Sequence, residues 1–333
     1  VIGRAMIADP EWTNKAKRGE PEAIRPCIGC NKGCINAYFL GTAMTCAVNP
    51  DACYERTEKY QPAKESKHVV VIGGGIAGTQ CAIEAANRGH KVDLYEKNDK
   101  IGGALRAISI WDRKDADHRF LAWLERELKV KGVNVHLNTA LTAEEAAAMN
   151  ADEYVVAVGG TPKMVRIPGV DRENVLAPVY ALQHPDKIGD KVVIIGGGEV
   201  GCEVAVWLKS QEKKSSVTIV ELGKELMSGA AKPMIANEKM LNDMVKFYGV
   251  DVHLNSSCTE IGDGTVKMTG PEGDMEFEAD TVIVALGFAT NMSLYSELNS
   301  KTDKVVHLLG ESWGTGSVLA AMRDGKAVAE AIE

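Results

Sequence analysis

The sequence predicts an α/β fold with two Rossmann-like nucleotide-binding domains, because one strand, glycine loop, helix and strand pattern occurs twice. In the first copy an apolar run and its glycine loop occupy 69–78, and the following strand ends at Glu96. In the second copy they occupy 192–201, and the following strand ends at Glu221. Short, wholly apolar strands that alternate with helices are typical of parallel sheets buried on both faces.

Both loops fit the pattern G-x-G-x-x-G between a strand and a helix. The motif glycines are Gly73, Gly75 and Gly78 in the first copy and Gly196, Gly198 and Gly201 in the second. The first glycine permits the tight turn, the second lets the backbone approach a pyrophosphate, and the third allows the helix to pack closely. The complete pattern predicts dinucleotide binding at both loops, although a vestigial second site with an intact turn remains an alternative.

An acidic residue closes the second strand of each copy. The carboxylates of Glu96 and Glu221 can accept hydrogen bonds from the hydroxyl groups of a ribose. A carboxylate at Glu221 would also repel the 2′-phosphate of NADP, and Lys224 is the only cationic residue that follows it closely. We therefore expect NADH rather than NADPH at the second loop.

The segments between the loops repeat as well. Asp152 precedes the apolar run 154–159, and Asp280 precedes the matching run 282–287. A helix is predicted over 117–129, where Leu121, Leu124 and Leu128 form one apolar stripe. These repeats agree with two similar domains in one chain.

Four cysteines near the start of the chain form the sharpest motif. Cys27, Cys30, Cys34 and Cys46 have the spacing C-x2-C-x3-C-x11-C. This spacing favours an iron–sulfur cluster, because structural zinc sites usually show two C-x2-C pairs; zinc and unligated thiols remain alternatives. Three of the other four cysteines are expected to pack rather than to bind metal, namely Cys53 after the motif and Cys81 and Cys202 in the helices that follow the loops.

Composition and charge exclude several classes of protein. The net charge of -8 disfavours a general nucleic-acid-binding protein, which needs a cationic surface. No apolar run approaches the roughly 18 residues of a membrane-spanning helix. The eight cysteines are concentrated in one segment rather than spread as in a secreted disulfide scaffold, so we expect a reducing cytoplasm.

The segment 24–31, Ile-Arg-Pro-Cys-Ile-Gly-Cys-Asn, and the four-cysteine spacing resemble the family of 2,4-dienoyl-CoA reductase, 2-enoate reductase and trimethylamine dehydrogenase. The resemblance implies an old-yellow-enzyme-like FMN barrel joined to nested, glutathione-reductase-like FAD and NAD(P)H domains. It covers nearly the whole chain in order.

The resemblance also implies cofactor-binding residues. It places a [4Fe–4S] cluster on the four motif cysteines, FAD on the first glycine loop and Glu96, and the nicotinamide nucleotide on the second loop and Glu221. Further flavin contacts are implied for Gly102, Gly103 and Glu311, although the family has an aspartate where Glu311 stands. Gly3 and Arg4 resemble the residues that contact the FMN phosphate at the end of the barrel.

By this resemblance the chain divides into four parts. Residues 1–25 are expected to be the end of a truncated FMN TIM barrel, and 26–66 the [4Fe–4S] segment and linker. Residues 67–168 and 282–333 are expected to form the FAD domain, and 169–281 the NAD(P)H domain. The substrate pocket and its proton donor belong to the absent barrel, so no catalytic acid or base is named, and the full-length form is expected to be a homo-oligomer.

The resemblance implies an electron-transfer function. Hydride from NADH would reduce FAD, and single electrons would pass through the cluster to FMN for reduction of an enoate- or enoyl-type C=C bond. The alternative is an amine-dehydrogenase-like chain in which ADP occupies the FAD-like site as a structural ligand and NADH is not oxidised. A disulfide reductase is disfavoured, because no cysteine pair accompanies Gly102 and Gly103.

Overall fold

The computed structural model describes residues 2–55, 61–110, 114–211, 216–228, 235–314 and 316–333. Its helices are α1 Gly3–Ala8, α2 Trp12–Lys17, α3 Ile35–Leu40, α4 Ile76–Asn87, α5 Gly103–Ile108, α6 Asp115–Val130, α7 Ala143–Ala148, α8 Pro178–Gln183, α9 Glu199–Ser210, α10 Ile235–Phe247, α11 Ser293–Lys301 and α12 Val318–Ala331. Its strands are β1 His68–Ile72, β2 Lys91–Tyr95, β3 Asn134–His136, β4 Glu153–Val156, β5 Thr161–Pro162, β6 Val175–Leu176, β7 Lys191–Ile195, β8 Ser216–Val220, β9 Asp251–His253, β10 Ser257–Ile261, β11 Thr265–Gly270, β12 Gly273–Glu278, β13 Thr281–Val284, β14 Phe288–Ala289 and β15 Val305–Leu308.

The chain forms two compact units. Unit 1 comprises Val1–Thr161 and Ala289–Glu333, and unit 2 comprises Pro162–Phe288. The sequence placed these borders at 168/169 and 281/282, seven residues away at each crossing. The predicted barrel end (1–25) and cluster segment (26–66) lie within unit 1, and residues 56–60 of the latter fall outside the described residues.

Unit 1 is built on a five-stranded sheet in the order β15-β4-β1-β2-β3. Every adjacent pair in this sheet is parallel. Val69, Val70 and Val71 of β1 are wholly buried, because helices cover both faces of a parallel sheet. The predicted parallel α/β architecture is therefore confirmed.

Three helices contribute most of the core on one face of this sheet. Helix α4 follows the first glycine loop at once, and it packs so closely on α12 that a Cβ at Gly325 would lie 2.6 Å from the carbonyl oxygen of Ala77. Helix α6 buries Phe120 and the predicted stripe of Leu121, Leu124 and Leu128. The same core continues to Cys27 and Cys46 of the cysteine segment, which pack against it.

Unit 2 repeats the design with the strand order β6-β13-β7-β8-β9, again with parallel neighbours. It adds an antiparallel sheet of β10, β11 and β12. One face of β11 is buried through Val266 and Met268, whereas Lys267 between them is exposed. This alternation is typical of an antiparallel sheet with one solvated face.

The strands predicted on either side of each glycine loop are found within one residue of their expected positions. The apolar runs 154–159 and 282–287 form β4 and β13, which end three residues before the runs do. Glu96 and Glu221 follow the ends of β2 and β8 by one residue, which puts both acids beside the loops rather than inside the sheets. Through the described parts of the chain, no helix combines the length and the apolar character that crossing a bilayer requires.

Candidate functional site

The first glycine of each motif lies in a tight turn that contacts the backbone just after a strand far along the chain. Gly73 and Gly196 have φ values of +110° and +106°, a region that L side chains rarely adopt. A Cβ at Gly73 would overlap the carbonyl oxygen of Ala157, and one at Gly196 would lie 2.6 Å from that of Ala285. Each repeated apolar run therefore contacts one glycine loop, 154–159 the first loop and 282–287 the second.

The third and second glycines have opposite environments. A Cβ at Gly78 would overlap the carbonyl oxygen of Gly73, and one at Gly201 would overlap that of Gly196. By contrast, outside their own chain neighbours no described atom lies within 4 Å of a Cβ built at Gly75 or Gly198. The loops are thus closed on the sheet side and open at the second glycine, where a pyrophosphate needs close approach.

Both predicted ribose-binding acids are hydrogen-bonded to their own loops. Glu96 Oε2 accepts a hydrogen bond of 2.7 Å from Gly74 N, and Glu96 Oε1 accepts one of 2.9 Å from Asn98 N. Glu221 accepts equivalent bonds of 2.6 Å from Gly197 N and Gly223 N. Each ionised carboxylate has about four acceptor positions, so both acids retain acceptor capacity for ribose hydroxyls.

The predicted glycine pair, Gly102 and Gly103, packs against the first glycine loop. Gly102 N donates a 2.7 Å hydrogen bond to the carbonyl oxygen of Gly74, and a Cβ at Gly103 would lie 3.1 Å from the Cα of Gly75. In unit 2 the corresponding donor is Met227 N, at 2.8 Å from the carbonyl oxygen of Gly197. Sequence reasoning missed Met227, because it takes a φ of +58° without being glycine.

Glu311 lies in the turn Gly310–Ser312, close to the start of α4. A Cβ at Gly310 would approach the Cβ of Ala77 to 2.9 Å. Ser312 Oγ accepts a 3.0 Å hydrogen bond from Gly159 N, which fixes the turn beside the end of β4. Burial raises the pKa of the Glu311 carboxyl above its ordinary value. The structure thus brings Glu311 to the same end of the unit 1 sheet as the first loop.

All four motif cysteines line one small cavity. Backbone N–H groups donate to the sulfur atoms of three of them. Gly29 N donates to Cys27 Sγ at 3.4 Å, Lys32 N donates to Cys30, and Val48 N and Asn49 N donate to Cys46. Hydrogen bonds to thiolate sulfur are one of the features that tune iron–sulfur centres.

The cysteine cavity disfavours bare thiolates. Burial, together with the neighbouring Cys46, Cys34 and Cys27, raises the pKa of the Cys30 thiol to about 11. Burial likewise raises the pKa of Cys46. A cationic group in the cavity would offset both effects, since coordination deprotonates a thiol. Nevertheless, no three His, Cys, Asp or Glu residues in the described ranges are arranged to hold a metal ion.

The two predicted FMN-contacting residues begin α1. Arg4 lines the cysteine cavity, and its Nη1 donates a 2.6 Å hydrogen bond to Asn31 Oδ1. Gly3 is exposed, with no described atom near a Cβ placed there. The structure therefore brings Arg4 to the cysteine segment, whereas an FMN contact for either residue stays a prediction.

The remaining cysteines differ in their surroundings. Cys81 and Cys202 are buried in α4 and α9, as predicted. Cys202 Sγ lies 3.4 Å from the carbonyl oxygen of Gly197, where unit 1 has Thr79 Oγ1 at 3.1 Å from that of Gly74. The expectation that Cys53 packs was wrong: it is exposed, in a turn where its φ is +72°.

Comparison with known proteins gives the family. Residues 67–307, most of the chain, match the sequence profile described as Pyridine nucleotide-disulphide oxidoreductase. The chain belongs to this family. As a member of the pyridine nucleotide-disulphide oxidoreductase family it has the predicted NAD(P)H-dependent flavin oxidoreductase fold, although the disulphide-type cysteine pair is missing beside Gly102 and Gly103.

Several pyridine nucleotide-disulphide oxidoreductase relatives resemble the chain along its whole length. Cinnamate reductase of Clostridium sporogenes is 36% identical over 100% of this chain and 49% of its own length. NADH oxidase of Thermoanaerobacter brockii is 38% identical over 99% of this chain and 51% of its own. A 2-naphthoyl-CoA reductase structure in complex with 2-naphthoyl-CoA has a TM-score of 0.91 and 31% identity, covering 98% of this chain and 49% of that one.

These matches confirm the predicted resemblance to the 2-enoate reductase family. The chain spans about half the length of the curated relatives it matches. Their similarity extends through the cysteine segment, because the alignments cover nearly all of this chain.

Proposed function

We propose that the chain is the electron-transfer part of an NADH:flavin oxidoreductase that reduces an enoate- or enoyl-type C=C bond. In this proposal hydride passes from NADH to FAD, and single electrons pass through a [4Fe–4S] cluster to FMN in a barrel domain. The domain assignment predicted from the sequence forms part of the proposal, as does homo-oligomerisation of the full-length protein.

One observation carries the proposal. The cavity lined by the four cysteines and the first dinucleotide loop share a single hydrophobic core. Cys27 and Cys46 pack against the same buried apolar side chains that include Ile76 and Ala77 of α4. A cysteine motif and a dinucleotide loop built on one core can keep a fixed separation. Fixed separation between carriers is what an electron-transfer unit requires.

The spacing of the cysteines favours a cluster over a single zinc ion. Structural zinc sites usually show two C-x2-C pairs, whereas the four cysteines here have the spacing C-x2-C-x3-C-x11-C. They line a common cavity, and a [4Fe–4S] cluster takes one thiolate per iron.

Each nucleotide is assigned to one of the two glycine loops. Gly75 and Glu96 would hold the pyrophosphate and a ribose of FAD, and Gly198 and Glu221 would hold those of NADH. When bound, the flavin accepts a hydride and releases its electrons singly, which the cluster can carry only one at a time. The protein's own contribution is to position these groups with rigid loops, since Glu96 and Glu221 fix their loops by hydrogen bonds from Gly74 and Gly197.

Cofactor analysis of the purified protein, prepared without oxygen, tests the proposal. We expect one FAD and about four iron and four sulfide per chain, and we expect the flavin absorbance to bleach on addition of NADH. Extraction of ADP in place of flavin would support the amine-dehydrogenase-like alternative and overturn the FAD assignment. Zinc in place of iron would overturn the cluster.

The preference for NADH is tested at Glu221. Glu221→Ala removes a ribose acceptor and the repulsion of a 2′-phosphate, so we expect about tenfold weaker use of NADH and a relative gain with NADPH. Glu272→Ala is a matched control, because Glu272 is an exposed acid of the same unit. Unchanged rates with both nucleotides would refute the role of Glu221.

A further inference from the structure

Unit 1 contains a cavity of about 600 Å³ to which neither the glycine loops nor the predicted flavin contacts contribute. It lies between α6 and the segment from α1 to the cysteine motif. Its wall combines Trp12 and Trp123 with Arg25, Arg119 and Arg126, and it includes one carboxylate, Glu22. This volume is within the range of small-molecule sites in proteins.

One face of α6 supplies a third of the residues in this wall. Arg119, Trp123 and Arg126 are spaced by four and three residues, so they lie on the same side of the helix. Trp123 is fixed in place, because it is buried and its Nε1 donates a 3.2 Å hydrogen bond to the carbonyl oxygen of Ala23. The ring of Trp123 thus has a fixed position between the two arginines of this helix face.

Arg25 supplies the opposite wall and has a donor without a partner. Its guanidinium carbon lies 4.7 Å from the centre of the Trp123 ring, and its Nη1 donates a 2.8 Å hydrogen bond to Asn49 Oδ1. Arg25 Nε is buried and has no hydrogen-bond partner among the described residues. Burying a charged donor without an acceptor is costly, so an acceptor from a ligand would be favourable here.

The charge of the wall favours an anion. Three arginines line the cavity, and Glu22 is the single carboxylate in the lining. Two of the arginines also pair with acids outside the lining, Arg119 with Asp115 at 3.0 Å and Arg126 with Glu127 at 2.5 Å. A guanidinium has five N–H donors, so these pairs leave donors for a ligand.

From these features we propose that the cavity binds a planar aromatic carboxylate. The carboxylate would accept hydrogen bonds from the arginine side chains. The aromatic part would lie against the half-buried Trp12 and the guanidinium groups, because Trp123 is buried and already stacks with Arg25 and Phe120. Cys27 lines both this cavity and the cysteine cavity, so the ligand would lie beside the proposed cluster segment. The inference itself does not depend on the proposed function, because it needs neither nucleotide nor iron.

Calorimetric titration of the purified protein with naphthalene-2-carboxylate tests the proposal. We expect saturable binding to one site, and at least tenfold weaker binding of naphthalene-2-methanol, which has the same ring without the charge. Arg126→Gln and Trp12→Leu should each weaken binding of the carboxylate about tenfold. Lys129→Gln, an exposed cation of α6 outside the cavity wall, should leave it unchanged.

Circular dichroism of each variant separates loss of the site from loss of the fold. The proposal is wrong if the carboxylate does not bind saturably, or if the folded Arg126→Gln protein binds it as tightly as the parent. A Cys30→Ser protein should still bind the carboxylate, so failure of the cluster assignment and failure of this site give different results.

Discussion

The carboxylate of Glu96 accepts a 2.7 Å hydrogen bond from the backbone N–H of Gly74, in the middle of the first glycine loop. Glu96 is buried, and its other oxygen is bonded to the backbone and side chain of Asn98. The residue predicted to bind a ribose is therefore also a structural part of the loop. The same relationship joins Glu221 and Gly197 in unit 2.

The double role of Glu96 predicts two effects of one substitution. Glu96→Ala leaves the buried Gly74 N–H without its acceptor, so we expect about 1–3 kcal/mol loss of unfolding free energy together with reduced flavin retention. Glu96→Gln keeps one acceptor oxygen and should lose less stability. Urea unfolding and the FAD content after dialysis measure the two effects. Parent-like stability and full flavin occupancy in the alanine variant would contradict the double role of Glu96.

The contrast between Gly75 and Gly78 predicts a separation of binding from folding. A methyl group at Gly75 meets open space, and its φ of -68° suits alanine, so Gly75→Ala should fold normally and fail to retain FAD. A methyl group at Gly78 overlaps the Gly73 carbonyl oxygen, so Gly78→Ala should lose about 2 kcal/mol or more of stability. Thermal unfolding without cofactor and flavin content distinguish them. Equal destabilisation by both variants would rule out an open pyrophosphate position.

The cysteine cavity predicts which thiols matter for iron. Cys30→Ser should abolish most of the iron bound per chain, because a hydroxyl replaces a thiolate in the cavity. Cys53→Ser is the matched control, since Cys53 is exposed and does not line that cavity. Iron analysis of both variants purified without oxygen decides the matter. The assignment fails if the two proteins carry equal iron.

His90 predicts a loss of stability in mild acid. Burial lowers the pKa of its imidazole, with a further contribution from the nearby charge of Arg88, and its Nδ1 lies 3.2 Å from the donor Lys67 N. The folded state therefore favours neutral His90. The resulting stability is complete above the ordinary pKa of about 6.5 and is lost as the pH falls through the lowered value.

The variant His90→Gln should show a smaller fall in stability between neutral and mildly acidic pH than the parent protein. His118→Gln serves as the control, because His118 is exposed on α6. Urea unfolding at several pH values provides the comparison. An identical pH dependence in the parent and in His90→Gln would remove His90 as the cause.

Much of the fold was predictable because its signals are local. Apolar runs such as 69–72 and 192–195 define buried strands, and each G-x-G-x-x-G motif fixes where a strand must turn into a helix. The parallel arrangement followed from these patterns, and the cysteine spacing identified residues that the structure brings to one cavity. Met227 was not predictable, since nothing in its residue type indicates a positive φ.

By itself the sequence determined the strands and helices around the two glycine loops, the repeat of the two nucleotide-binding patterns and the residue types offered to the cofactors, because these depend on periodicity and on short-range spacing. Only the tertiary structure decided which distant groups meet: Ala157 against Gly73, Arg4 beside the cysteines, and Arg25 over Trp123 at the arginine-lined cavity. Such contacts arise when helices pack on sheets, and the residues that make them are far apart in the chain. No local pattern in the sequence indicates which of these residues will come into contact.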